Sequence, residues 1–347
     1  MPKMRANVVI LPSVRVEEFD YELPRELIAQ APLEDRAGSR MLVVERAAGR
    51  WRDALFREFP SWVGAGDCLV ANDSRVIPSR VFGEAAGRGK VEVLLLEPSE
   101  EDSRVWEALV KPARRARRGS VIRFAAGFEA EVTGEGERGL RFLRFSTAEV
   151  LGWLEQMGHV PLPPYITRQD REEDRERYQT VFAREPGSAA APTAGLHFTA
   201  EIIEACQARG ALWETITLHV GLGTFRPLEV GEVEQIRLHS ERYWIRPAAW
   251  RRIVEARRRV AVGTTSVRTL ETAWRTGQLA GRTELFIAPG FEFQATGALL
   301  TNFHLPRSSL LMLVCAFGGK ELILEAYRHA VREGYRFYSY GDCMLII

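Results

Sequence analysis

The sequence predicts an α/β protein: a layered domain of strands and helices, accompanied by a smaller region built of strands alone. Two patterns carry this expectation. Between Cys68 and about Phe145 the chain runs as short β-branched and aromatic segments separated by turn residues, as in a small barrel or sandwich. Beyond residue 146, helix and strand signals alternate, which implies a layered α/β domain.

Taken in order, residues 21–62 hold a helix signal (26–31) and a strand signal (41–45), and fit either region. The strand-rich region offers strands at 91–96, 104–110, 121–124, 128–132 and 140–145. Within it, Gly134-Glu-Gly-Glu-Arg-Gly139 spells a dinucleotide-binding fingerprint. That motif must leave a strand and open a helix; here it lies between two strands, so it predicts a hairpin turn. Ser146-x-x-Glu149 reads as a capping box for a helix reaching about Met157. Thr199 caps a helix to about Arg209, with Gly210 just past its end. Pro247 suits the first turn of a helix to Arg259, and a buried strand follows at 260–264. A helix at 266–276, a strand at 284–287, helices at 308–317 and 321–332, and a strand at 335–347 complete the order.

Composition narrows the function classes. A chain of 347 residues with 46% apolar and 27% charged residues can bury a full core as one large domain or two smaller ones. A net charge of +1 excludes a uniformly basic surface but allows a local basic patch. The four cysteines include no C-x-x-C pair, so neither a zinc knuckle nor a dithiol site is indicated; free buried thiols in a reducing cytoplasm are expected. No secretory signal opens the chain, and the longest apolar run, 310–317, falls far short of the roughly 20 residues of a membrane span. P-loop, G-x-S-x-G and H-E-x-x-H motifs are all missing.

Several segments have a composition that neither core nor ordinary surface needs. In Ala190-Ala-Pro-Thr193-Ala-Gly195-Leu-His197-Phe-Thr199, small residues lead into a helix start, suited to an anion or to plain structure. Leu218-His219-Val-Gly221-Leu-Gly223-Thr224-Phe225 ends a strand in a histidine and two glycines, which allow close approach of a ligand or a tight turn. His239-Ser-Glu241 sets an imidazole beside a carboxylate. Gly263-Thr264-Thr265-Ser266-Val-Arg268 places three hydroxyls where a strand meets a helix, the usual ligand end of an α/β sheet and equally a capping sequence. Thr301-Asn302-Phe-His304 and Tyr338-Ser-Tyr340-Gly-Asp342 are polar loops between apolar segments. Five of the six histidines occupy such loops, His159 in Gly158-His-Val-Pro being the fifth, and a shared cleft follows as the expectation. Lys111-Pro-Ala-Arg114-Arg115-Ala-Arg117-Arg118 is dense enough to grip a phosphate backbone, or to be a solvated loop.

Together these segments resemble the S-adenosylmethionine:tRNA ribosyltransferase-isomerases of queuosine biosynthesis. The resemblance runs from Phe19-Asp-Tyr-Glu-Leu-Pro24 through Ala71-Asn-Asp-Ser-Arg75-Val-Ile-Pro78, Val91-Glu-Val-Leu-Leu95, Ala108-Leu-Val-Lys-Pro112 and Tyr178-Gln-Thr-Val181 to Tyr340-Gly-Asp342. It implies a three-layer α/β/α domain from both ends of the chain (1–62 and 153–347) with an inserted small antiparallel β-barrel (63–152). It also implies transfer and isomerisation of the ribosyl group of S-adenosylmethionine onto 7-aminomethyl-7-deazaguanine at the tRNA wobble position, giving epoxyqueuosine, adenine and methionine. S-adenosylmethionine is then a donor substrate, and no cofactor or metal is expected; apart from the resemblance, a cytoplasmic protein that uses no membrane is expected, with the oligomeric state open and a monomer as the default.

For this chemistry His197, His219, His239, His304 and Asp342 are the candidate acids and bases. Thr193, Gly195, Gly221, Gly223, Thr224, Phe225, Glu241, Thr264, Thr265, Ser266, Arg268, Asn302 and Tyr340 are the candidate substrate contacts. Arg75, Lys111, Arg114, Arg115, Arg117 and Arg118 are the candidate tRNA contacts. Two departures stand out: Ile236 and Leu238 occupy positions where the family usually carries a histidine and a methionine, and the segment ahead of Glu17 has no counterpart and is expected to be dispensable.

Overall fold

The computed structural model describes residues 14–221 and 230–347. In chain order the strands are β1 (Arg40–Glu45), β2 (Arg50–Leu55), β3 (Asp67–Asn72), β4 (Ser74–Val76), β5 (Arg80–Ala85), β6 (Gly89–Pro98), β7 (Val105–Lys111), β8 (Val121–Phe124), β9 (Glu129–Glu135), β10 (Leu140–Phe145), β11 (Glu185–Ser188), β12 (Leu212–Leu218), β13 (Glu241–Trp244), β14 (Arg258–Val262), β15 (Ala280–Thr283), β16 (Ala298–Asn302) and β17 (Cys343–Ile346). The α-helices are α1 (Val150–Met157), α2 (Asp174–Arg177), α3 (Ala200–Ala208), α4 (Pro247–Glu255), α5 (Thr264–Thr276), α6 (Ser309–Gly318) and α7 (Lys320–Arg332). The chain divides into two compact units, formed by the described parts of Met1–Asn72, Thr193–Leu218 and Gly223–Ile347, and of Asp73–Pro192 with His219–Leu222.

The first unit is the three-layer α/β/α domain. Its nine-stranded sheet has the order β15-β13-β12-β3-β14-β16-β17-β1-β2. At its centre β12, β3, β14 and β16 run parallel, and β17 is antiparallel to β16. Every residue of β3, β16 and β17 is buried, because helices cover both faces of such a sheet and its strands must be apolar on both sides. Thr199 caps α3 as expected, its hydroxyl accepting the Ile202 N–H at 3.4 Å, and Pro247 opens α4. All four cysteines are free and buried. Among the described residues no helix is long and apolar enough to cross a membrane.

The second unit contains a closed antiparallel barrel, β10-β7-β6-β5-β8-β9. Its strands alternate buried and open positions, one face filling the barrel and the other meeting solvent. Trp106, Ile122, Leu143 and Phe145 fill its interior, together with Trp153 and Leu154 of α1. Gly134 and Glu135 end β9 and residues 136–139 turn the hairpin into β10, with Gly139 at φ 89°, a backbone region that favours glycine.

Several expectations are corrected. Residues 67–72, expected in the barrel region, form the central strand β3 of the large sheet, since the apolar run at 68–71 suits burial on both faces. Residues 153–192, expected in the α/β domain, fall in the barrel-bearing unit. The 26–31 helix is a single 3-10 turn at Arg25–Leu27. No strand forms at 284–287; the local strand is β15. The Ser146 capping box is not made: Glu149 itself is the N-cap of α1, and its N–H donates to Thr147 Oγ1. The segment ahead of Glu17 is not idle where it is described. The Val16 N–H donates to the Gly231 carbonyl, the Val233 N–H to the Val14 carbonyl, and Val16 is buried.

Candidate active site

Parallel register fixes where the first unit can bind a ligand. The carboxyl ends of β3, β12, β14 and β16 (Asn72, Leu218, Val262 and Asn302) lie on one edge of the sheet. Asn302 pairs with Cys343 and Met41 with Cys343, so Asp342 and the start of β1 lie on that edge as well. In open α/β sheets ligands sit in the crevice at this edge. The loops singled out at 193–199, 239–241, 263–268, 301–304 and 338–342 are therefore gathered there by topology, although they are far apart in sequence.

A pocket lies on this edge, lined by Leu238, His239, Glu241, Arg268, Leu285, Phe286, Ile287, Ser309, Leu310 and Leu313. His239 is exposed at its mouth. Glu241 and Arg268 form a buried ion pair in its wall; Arg268 Nη1 donates to Glu241 Oε2, and Arg268 Nε donates to the Leu285 carbonyl at 3.0 Å. Arg268, expected to hold substrate or phosphate, is thus committed to an internal carboxylate, because a buried guanidinium requires a partner. Leu238, at the position where the family usually carries methionine, lines the pocket, whereas Ile236 is buried.

Nearby, Gly263 turns β14 into α5 at φ 91°, and a Cβ there would come within 3.6 Å of the Ala194 Cβ. The Ser266 and Val267 N–H groups donate to the Gly263 carbonyl, while those of Thr264 and Thr265 meet no acceptor among the described residues. Thr265 Oγ1 is likewise buried without a hydrogen-bond partner. Helix polarity, two N–H groups without an acceptor and a hydroxyl without a partner are what a carboxylate or another anion would need at this turn. Ser266 contributes no free group, since its hydroxyl donates to the Val262 carbonyl at 2.8 Å.

The remaining candidates are largely internal. His197 is 4% exposed, and its Nδ1 lies 2.8 Å from the Ser39 hydroxyl. Burial pushes its pKa down to about 4, outweighing the Asn302 side chain, which favours the charged ring. Burial lowers His304 to about 3; its Nε2 contacts Thr301 Oγ1 at 2.8 Å, and its carbonyl accepts the Tyr21 hydroxyl. Neither ring is a strong base at neutral pH. Asp342 brackets the chain: one carboxylate oxygen accepts the Arg40 N–H at 2.9 Å and the other the Arg336 N–H at 2.8 Å. Burial raises its pKa despite those two bonds. Asn302 Nδ2 donates to the Tyr338 carbonyl, and Tyr340 is buried in the turn. Thr193 and Gly195 belong to a 3-10 turn, Thr193–His197, that is mostly buried rather than open to an anion.

His219 and Gly221 belong to the second unit, where His219 is buried and Gly187 passes so close that a Cβ on it would lie 2.9 Å from the ring. Gly223, Thr224 and Phe225 lie outside the described residues. The basic residues also belong to the second unit. Lys111, Arg114, Arg117 and Arg118 are exposed, Arg115 Nη1 donates to the Lys90 carbonyl at 2.6 Å, and Arg75 pairs with Glu155 at 3.3 Å. Sequence reasoning missed the apolar pocket wall at 285–287 and 309–313, which carries no polar signature. It also missed Arg141, buried in β10, whose three nitrogens hold the Ala113, Ala116 and Leu140 carbonyls and so fix the arginine loop from below.

An α/β enzyme whose loop motifs gather at the carboxyl edge of the sheet, with an antiparallel barrel carrying a basic loop, is the class these features define. The chain belongs to the queuosine biosynthesis protein family, whose model matches residues 16–346. It is 57% identical to the S-adenosylmethionine:tRNA ribosyltransferase-isomerase of Solibacter usitatus, over 96% of this chain and all of that one. It is 51% identical to the protein of the same name from Moorella thermoacetica, again over 96% and 100%. Among solved structures it is similar to the S-adenosylmethionine tRNA ribosyltransferase of Thermotoga maritima, with 38% identity, a TM-score of 0.55, and coverage of 95% of this chain and 100% of that one.

Proposed function

We propose that this protein transfers and isomerises the ribosyl group of S-adenosylmethionine onto 7-aminomethyl-7-deazaguanine at the wobble position of tRNA. The products are epoxyqueuosine in tRNA, adenine and methionine. The observation that carries this reading is the juxtaposition, on one sheet edge, of a pocket with an exposed histidine and a helix start with unpaired N–H and hydroxyl groups.

The chemistry matches those groups. The sulfonium acidifies the ribose C5′ protons, and a base removes one. The electron pair left at C5′ forms a C4′–C5′ double bond, the ring C4′–O bond opens to a C1′ carbonyl, and the C1′–N bond to adenine breaks, adenine leaving with a proton. The aminomethyl nitrogen adds to C4′, gives up a proton and returns the electron pair to C5′. C5′ then bonds to the C1′ carbonyl carbon, and the oxygen so released displaces the sulfur from C5′, closing the epoxide and releasing methionine. No cofactor or metal enters these steps. His239 is the candidate base, because it alone among the candidate histidines of the first unit lines the pocket and is exposed. The Thr264–Thr265 turn receives the methionine carboxylate, and the Glu241–Arg268 pair keeps the pocket wall fixed. The Lys111–Arg118 loop, with Arg75, meets tRNA phosphates. A tRNA substrate calls for a cytoplasmic enzyme, which acts as a monomer.

The test is to incubate the protein with S-adenosylmethionine and tRNA with or without the aminomethyl base. Adenine is expected only with the modified tRNA. Release of S-adenosylhomocysteine instead would make the protein a methyltransferase and end this reading.

A further inference from the structure

Outside the sheet edge, the outer face of the barrel carries an arrangement that the reaction chemistry does not use. Phe82 in β5 is 56% exposed, the highest value among the exposed large apolar side chains of the described residues. Its strand neighbours Val81 and Ala85 are buried, so Phe82 faces outward by strand geometry. An exposed aromatic ring forgoes the burial that normally makes it stabilising.

The ring is not alone. His159 lies 5.4 Å from it, edge to face at 72°. His159 is held twice. Its backbone exchanges hydrogen bonds with Arg80 at 2.8 and 3.2 Å, and its Nδ1 lies 3.1 and 3.2 Å from the two oxygens of Asp170. That carboxylate is itself anchored by the Val160 N–H at 3.0 Å. A surface imidazole fixed at both backbone and ring is pre-organised for contact.

Strand register ties this pair to the basic loop. Phe82 stands opposite Glu92, and Glu92 opposite Lys111, so all three share the outer face. Two interstrand steps separate Phe82 from Lys111, roughly 10 Å. Arg80 pairs with Glu92 at 3.4 Å and offsets its charge. Lys111 opens the loop that Arg141 pins from below and that Arg115 ties to the β6 backbone. A single ring among charged groups offers no groove for an apolar peptide. A fixed aromatic face beside a fixed cationic loop is how proteins hold unpaired nucleotides, with base on ring and phosphates on cations.

We propose that Phe82 and His159 form a stacking platform for an unpaired nucleotide of the tRNA, whose backbone is held by the Lys111–Arg118 loop. The platform rests on the tRNA reading above. In the full-length protein, Phe82→Ala raises the Kd and KM for tRNA about tenfold. It leaves kcat, the KM for S-adenosylmethionine and the melting temperature unchanged. Phe82→Trp restores binding, while Phe82→Leu, apolar but without a π face, behaves like the alanine variant. Asp170→Asn, which loosens the imidazole, gives a smaller loss in the same direction. Wild-type tRNA affinity in Phe82→Ala overturns the platform, and wild-type affinity in Phe82→Leu overturns stacking as its basis. Failure of the wild-type protein to release adenine would count against the function instead, independently of Phe82.

Discussion

The sheet edge and the barrel face use the same polar residue types in opposite ways. At the sheet edge the charged groups are buried and already bonded: Arg268 to Glu241, and Asp342 to two backbone amides. On the barrel, Lys111, Arg114, Arg117 and Arg118 are exposed, and the buried Arg141 donates to the Ala113 and Ala116 carbonyls of the loop that carries them. The contrast shows how each surface can work. A buried, satisfied polar wall gives a fixed shape to a small-molecule pocket, because low dielectric makes every unpaired group costly. Exposed cations remain available to a polyanion, which gains by releasing counterions. Arginine content alone therefore does not locate a phosphate site; burial and pairing do.

The largest expected effect tests the wall of the pocket. Glu241→Ala leaves the Arg268 guanidinium buried without its carboxylate, and chemical denaturation should show a loss of about 3–5 kcal/mol. A loss below about 1 kcal/mol would mean that the pair is as solvated as a surface one. Next comes the base. His239→Gln should lower kcat about a hundredfold, ~2.7 kcal/mol of barrier, with the fold intact. Adenine release at the wild-type rate would remove His239 from the chemistry.

Buried His197 gives a pH signature of its own. The pKa of His197 is about 4 in the folded protein, below the unfolded value, so between those values the unfolded chain binds the extra proton. The contribution is present above the unfolded pKa and is lost as pH falls through that window. From pH 7 to pH 5 the wild type should lose about 2 kcal/mol more stability than His197→Asn, measured by urea unfolding. Equal losses would show that the ring titrates as if in water. The smallest effect belongs to the barrel. Replacing Arg114, Arg117 and Arg118 by alanine should leave stability within about 0.5 kcal/mol, since they are exposed. The same variant should make the log–log salt slope of tRNA binding shallower by about 2. An unchanged slope would separate this loop from the tRNA.

The α/β unit and the barrel also differ in how much of them could be read from sequence. The barrel strands announce themselves by alternation, and the strand expected at 121–124 coincides with β8. In the large sheet, β3 carries an apolar run with no period, and the adjoining strand-rich stretch drew it into the wrong region. The loop motifs of the sheet edge were visible as odd compositions of glycine, histidine and hydroxyl. Which of them remain chemically open was not, because a hydroxyl in sequence looks alike whether it donates to a carbonyl four residues back, as Ser266 does, or faces no partner, as Thr265 does.

The sequence by itself determined the fold class, the order of the motifs and the family, since local periodicity, turn chemistry and long ordered motifs are properties of the chain. Only the tertiary structure decided that Arg268 and Asp342 are internal supports, that His239 rather than His197 or His304 lines the pocket, and that Phe82 shares a face with Lys111. The reason is physical. Burial and cross-strand register set which polar groups keep a free valence, and both arise from contacts between residues distant in sequence.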